Sequence, residues 1–120
     1  MKAKAYLSEI RGEYKNLREL RERLRAEKNE GKRRELREIL KQASSYYAGV
    51  LNEVWDTIEE MDEGIGREIL IRRHVFLEPW EQITGELGCS LSTVYKHHSK
   101  AVARVQKILD GNNKGVRLCG

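Results

Sequence analysis

One stretch limits this chain more than any other. Leu36, Leu40, Ala43, Tyr47, Val50, Val54, Thr57 and Met61 recur at alternating steps of four and three. That spacing, held over nearly four heptads, predicts one long helix over residues 33–61 with an apolar seam down one side. A seam of that length has to be covered by another helix, from the same chain or from a second copy. Ile39, Tyr46, Leu51, Trp55 and Ile58 widen the apolar side, so the later turns are expected to meet more than one neighbour. The chain has 120 residues, 35% of them charged, with ten Gly and one Pro. An all-α protein is therefore expected, with one modest core or a small domain carrying an extended arm.

The nearest partner for the seam precedes it. Residues 3–29 read as a long charged helix in which Leu7, Ile10, Tyr14, Leu17 and Leu24 keep a three-four spacing, interrupted at Arg21. Asn29-Glu30-Gly31 is the expected break. Folding the first helix back on the second gives a helical hairpin. A coiled coil between copies uses the same residues, which makes these N-terminal helices the candidate site of homo-oligomer contact. The organisation read from the chain is an association region over 1–63, a small domain over 64–110 and a flexible tail over 111–120. The tail, GNNKGVRLCG after Asp110, has no periodicity.

The small domain starts with a turn, Asp62-Glu63-Gly64-Ile65-Gly66, and a third helix over 67–76 that turns Ile69, Leu70 and Val75 inward. Glu78-Pro79 then opens another helix, because Pro suits a first helical turn. Ile83 and Leu87 share one face of it. Gly88 follows where a C-terminus needs positive φ. Cys89 is small enough for a corner, and Ser90 is a good N-cap. Val94, Ala101, Val105 and Ile108 then mark the buried face of a last helix. Two helices joined by so short a turn cross steeply, which is the helix-turn-helix geometry. Between residues 91 and 109 lie Lys96, Lys100, Arg104 and Lys107 and no acid.

Trp80, Ile83, Leu87-Gly88, Ser90, Val94 and Ala101, with the preceding residues 69–77, resemble region 4 of sigma-70-class factors. They resemble more closely the small phage-encoded sigma-like regulators of the RinA and ArpU type. The resemblance covers about residues 65–109. Thr84 stands where such motifs carry Ala, and Leu91 and Ser92 stand where sigma factors carry charged base-reading residues. The resemblance implies a phage or prophage origin and RNA polymerase as a second partner, beside double-stranded DNA.

Charge supports a polyanionic partner more through its distribution than its total. The net is +4. Residues 1–48 carry a net +6, residues 49–66 a net −6 with no base, and residues 67–120 a net +4. Clustered basic charge is what nucleic-acid binding needs. A helix entering the major groove by its N-terminal turns offers Ser92, Thr93 and Lys96 to base edges and Leu91 to a thymine methyl group. Tyr95, Lys100 and Arg104 then meet the phosphate backbone.

Other signals are weaker. His97 and His98 invite a metal, with His74 or Cys89, but adjacent helical residues point about 100° apart and do not chelate one ion easily. Arg72-Arg73-His74 fits either backbone contact or a solvated face. The acidic residues from Glu53 to Glu63 fit a solvated face, a basic partner or pairing with the basic first helix. No nucleophile–base pair, phosphate loop or carboxylate dyad stands out, so neither catalysis, a metal nor a cofactor is expected. Two unpaired cysteines and a polar N-terminus without an apolar run point to a cytoplasmic protein with no membrane span.

The expected function is a sequence-specific DNA-binding transcription regulator. Two rivals use the same scaffold. A small terminase-like packaging protein also joins a helix-turn-helix to oligomerising helices, and would form rings. A helical interaction protein would show no salt-sensitive DNA binding.

Overall fold

The computed structural model of the chain describes residues 2–112. It is all-helical, with no strand among the described residues. The elements are α1 (Ala3–Ala26), α2 (Glu30–Glu59), α3 (Ile65–Leu70), a π-helical turn (Ile71–Val75), α4 (Trp80–Leu87) and α5 (Leu91–Asn112). None of these helices is long and apolar enough to cross a membrane. The expected tail over 111–120 divides: Gly111 and Asn112 continue α5, and residues 113–120 lie outside the described residues.

The first connection is shorter than the sequence indicates. Glu27 turns extended after Ala26, and Asn29 caps α2 by accepting from the Lys32 N–H at 2.9 Å. Gly31 therefore sits inside α2, which begins at Glu30 and not at Arg33. Asn29 is an effective N-cap and satisfies an orphan donor that Gly31 could not. Arg33 closes the corner from the other side. Its Nη1 donates to the carbonyls of Leu24 at 2.7 Å and Glu27 at 2.9 Å, where α1 ends.

From that corner α1 runs back along α2. Tyr14 stacks obliquely with Tyr47, the Tyr46 hydroxyl donates to Glu9 at 2.7 Å, and Tyr6 Oη lies 2.8 Å from Thr57 Oγ1. Thr57 is the polar member of the seam, and this contact explains it. Its hydroxyl also donates to the Glu53 carbonyl at 3.1 Å, so a fully buried polar group is satisfied. Leu36, Val50, Val54 and Met61 are buried as the heptad requires, while Leu40, Ala43 and Tyr47 are half-buried.

Two expectations about the apolar faces fail. Ile39 is 49% exposed and Tyr46 44%, so they do not widen the packed side of α2. On α1, Tyr6 and Leu20 are buried while Tyr14 is exposed and Leu24 only half-buried. The cause is that the N-terminal turns of α1 are held between two neighbours and its later turns by one. Ala3, Tyr6, Leu7 and Ile10 join Val50, Val54, Ile58 and Met61 in one cluster, closed by Leu70 of α3 and by Ala101, Val105 and Leu109 of α5. The Val50–Met61 end of α2 does meet several neighbours, as its pattern indicates.

The third helix, expected over 67–76, runs from Ile65 to Val75 but changes its hydrogen bonding on the way. α3 stops at Leu70 and a π turn follows, with the Phe76 N–H on the Ile71 carbonyl at 3.0 Å and the Glu78 N–H on Arg72 at 2.9 Å. Leu77 then takes φ 57°, which costs a non-glycine residue about 1–2 kcal/mol. Its side chain packs against the main cluster, which offsets that cost. Gly66 permits the close fit of α3 on α5: a Cβ there would stand 3.2 Å from Ala101 Cβ.

Ile58 is fully buried and Ile39 is half in water. Ile58→Ala is expected to lose about 2–5 kcal/mol in urea unfolding, and Ile39→Ala less than about 0.5 kcal/mol. Similar losses at both positions would mean that the two sides of α2 are wrongly assigned.

Candidate nucleic-acid interface

The corner between α4 and α5 is built by three residues. Gly88 ends α4 at φ 65°, ψ 28°, and its N–H and that of Cys89 both return to the Thr84 carbonyl. Thr84 Oγ1 turns back on its own helix and donates to the Glu81 carbonyl at 2.8 Å. Ser90 caps α5, its Oγ accepting from the Thr93 N–H at 3.2 Å. Behind the corner Ile83, Val94 and Ile69 are wholly buried together, with Trp80, Leu87 and Cys89 around them.

With Val94, Ala101 and Val105 buried, the helical period turns the other side of α5 outward. Leu91, Ser92, Thr93, Tyr95, Lys96, Lys100 and Arg104 are all exposed there. They are not equally free. Ser90 Oγ donates to Thr93 Oγ1 at 2.9 Å and lies 3.3 Å from Ser92 Oγ, so both hydroxyls belong to the cap. The Tyr95 ring meets the Trp80 ring edge-on at 5.0 Å. Arg104 reaches Asp62 at 3.5 Å, an exposed pair. Lys96 and Lys100 make no ion pair among the described residues.

Trp80 organises a second group beside this face. The Arg73 guanidinium lies 4.5 Å over its ring, a cation–π contact, and donates to the Glu78 carbonyl at 3.1 Å. His98 meets the same ring at 5.0 Å. Its Nε2 is 2.9 Å from His74 Nε2, with the two rings stacked. This close approach requires one imidazole to donate and the other to accept. Burial pushes His74 down to about 3, with His98, Arg73 and Arg11 adding to it. Burial likewise lowers His98, helped by Arg73 and Lys4.

The pairing of His74 with His98 was not legible, because it depends on the π turn that aims residue 74 at α5. His97 points elsewhere, and no group of three metal-ligating side chains occurs among the described residues. Arg72 is taken up internally. It bridges Glu68 at 2.8 Å, Glu78 at 3.3 Å and Glu86. Set against protein-family models, curated proteins and solved structures, the chain matches none of them.

Two outcomes follow from this geometry. Ser90→Ala is expected to cost about 1 kcal/mol in thermal or urea unfolding, with the loss confined to the first turn of α5 in amide exchange. His74 sets a pH dependence. The unfolded chain takes a proton on His74 near its ordinary value of about 6.5, whereas the fold holds it neutral until about 3. Stability from this group is therefore complete above pH 6.5 and declines as the pH falls below it. His74→Phe should lose less melting temperature between pH 7 and pH 5 than the parent. An equal drop in both would remove His74 as the cause.

Proposed function

We propose that the chain is a sequence-specific double-stranded-DNA-binding transcription regulator, built as an N-terminal helical hairpin followed by a sigma-like helix-turn-helix. The phage or prophage origin and the second partner, RNA polymerase, belong to the proposal through the resemblance to region 4 of sigma factors. The observation that carries the reading is the outward face of α5. It holds Lys96, Lys100, Arg104 and Lys107 with no acid from 91 to 109, on a helix pinned from behind through Val94 and Ile83.

On this reading Lys96 and Leu91 meet base edges from the first turns of α5. Lys100 and Arg104 lie along the phosphates. The Ser90–Thr93 cap fixes Ser92 and Thr93 at the end that enters the groove. Tyr95, braced on Trp80, is a rigid contact for the backbone.

Self-association through the N-terminal helices is the second part of the proposal. Ile39 and Tyr46, seven residues apart on one side of α2, keep 49% and 44% of their surface exposed in the single chain. A second copy would cover them, and Tyr46→Lys should then shift sedimentation toward monomer. A parent chain that sediments as monomer at all concentrations would remove this part.

The DNA-binding part is tested by a salt titration on a selected site and on random duplex. Lys96→Ala should lose about 1–3 kcal/mol on the selected site and relax discrimination there. Lys100→Ala should weaken all duplexes alike and lower the salt slope by about one unit. Unchanged affinity for every duplex in both variants would leave the helix-turn-helix as a structural corner only.

A further inference from the structure

The Nε of Arg67, on α3, is sealed from solvent and has no hydrogen-bond partner among the described residues. It is the one buried side-chain polar atom there without a partner. Buried guanidinium N–H groups left unmatched are costly and rare in native folds. Arg67 also lines a cleft of about 220 Å³ between α3 and α5. Lys100, Arg104 and His97 line the same cleft from α5. The close approach comes from two small residues: a Cβ on Gly66 would be 3.2 Å from Ala101 Cβ and 3.7 Å from the His97 carbonyl.

Arg67, Lys100 and Arg104 bring three positive charges to one small cleft. The one acid in its lining, Asp62, has a side chain 96% exposed and reaches Arg104 only at 3.5 Å. Such an exposed pair contributes little, so the lining stays positive in net charge. A compact anion with several acceptor oxygens, in reach of a guanidinium and an ammonium at once, fits such a lining. Tetrahedral phosphate has that shape and charge, and Arg is the side chain best matched to it.

We propose that this cleft binds a phosphate oxyanion, with Arg67, Lys100 and Arg104 as donors and His97 at its edge. The proposal deepens the DNA-binding reading, on which it rests for the source of the phosphate. On that reading the group is a backbone phosphate beside the major groove, and Arg67 is a DNA contact outside α5. A free phosphate or a phosphorylated small molecule presents the same chemistry.

Two measurements separate these sources. The first is a salt titration of DNA affinity for the full chain and for Arg67→Ala, Arg67→Lys and Lys100→Ala. The second follows the Arg67 Nε–H and the Gly66 and His97 amides by NMR as inorganic phosphate is added at constant ionic strength, with chloride as control. A backbone phosphate in the cleft predicts about tenfold weaker binding of every duplex by Arg67→Ala, a salt slope lower by about one unit, and partial retention by Arg67→Lys. Phosphate-specific shifts of the three signals, lost in Lys100→Ala, support the oxyanion site without DNA and survive even if no duplex is bound. Shifts with an unchanged slope assign the cleft to a small phosphorylated ligand. Arg67→Lys and the phosphate-dependent shifts keep the comparison valid where Arg67→Ala fails to fold, because Lys100→Ala lowers the salt slope on the DNA-binding reading alone. No phosphate-specific shift together with an unchanged slope overturns the proposal.

Discussion

Both buried clusters among the described residues lean on one side of α5. Ala101, Val105 and Leu109 close the cluster shared with α1 and α2, and Val94 is buried against Ile83 and Ile69. Fully burying a Val or Leu side chain contributes about 1.5–3 kcal/mol, so this helix is fixed along most of its length. The constraint has a functional consequence. A helix held from behind by two clusters has one free side, and its direction is set by the core. Ser92, Lys96 and Lys100 stand on that side because Val94 and Ala101 stand on the other.

Charge follows the same division. The segment from residue 67 onward carries five acids. Three of them, Glu68, Glu78 and Glu86, converge on Arg72. Sharing one guanidinium (three −1 against one +1), these acids keep a net −2 on the side of α3 and α4, while Lys96 and Lys100 make no ion pair among the described residues. Positive charge is thus gathered on the outward face of α5 and negative charge behind it. Fields focused this way raise association rates with polyanions. Arg72 itself is better understood as the tie between α3, the loop after the π turn and α4 than as a ligand-binding cation.

The parts of this fold that were legible in the sequence are those fixed by near neighbours. Gly88 in a left-handed conformation and Ser90 capping α5 are local events, visible as single residues in the right order. The heptad from Leu36 to Met61 was legible because period alone fixes which side of a helix is apolar. Coverage is a different matter. Ile39 and Tyr46 have the right chemistry for the core yet stay 49% and 44% exposed, and Tyr6 is buried because Thr57 and Glu53 wait opposite. No one-dimensional pattern encodes that. The π turn was hidden for a related reason. Its cost and that of Leu77 at φ 57° are repaid by tertiary contacts, so the residues themselves look helical.

The hydroxyls of the cap bear on how α5 could discriminate sequences. Direct readout needs donors and acceptors free to reorient toward base edges. On the proposed reading Ser92 and Thr93 are near the end of the helix that would enter the groove, yet Ser90 engages both. Moving either toward a base would loosen the cap and cost part of the stability that orients the helix. Lys96 carries no such obligation, and Leu91 offers only an apolar contact. A helix with one uncommitted donor and one methyl-sized contact in its first turns reads few positions by itself. Discrimination on a longer site would have to come from a second copy or a second partner, or from the shape of the duplex under the cations that flank the helix.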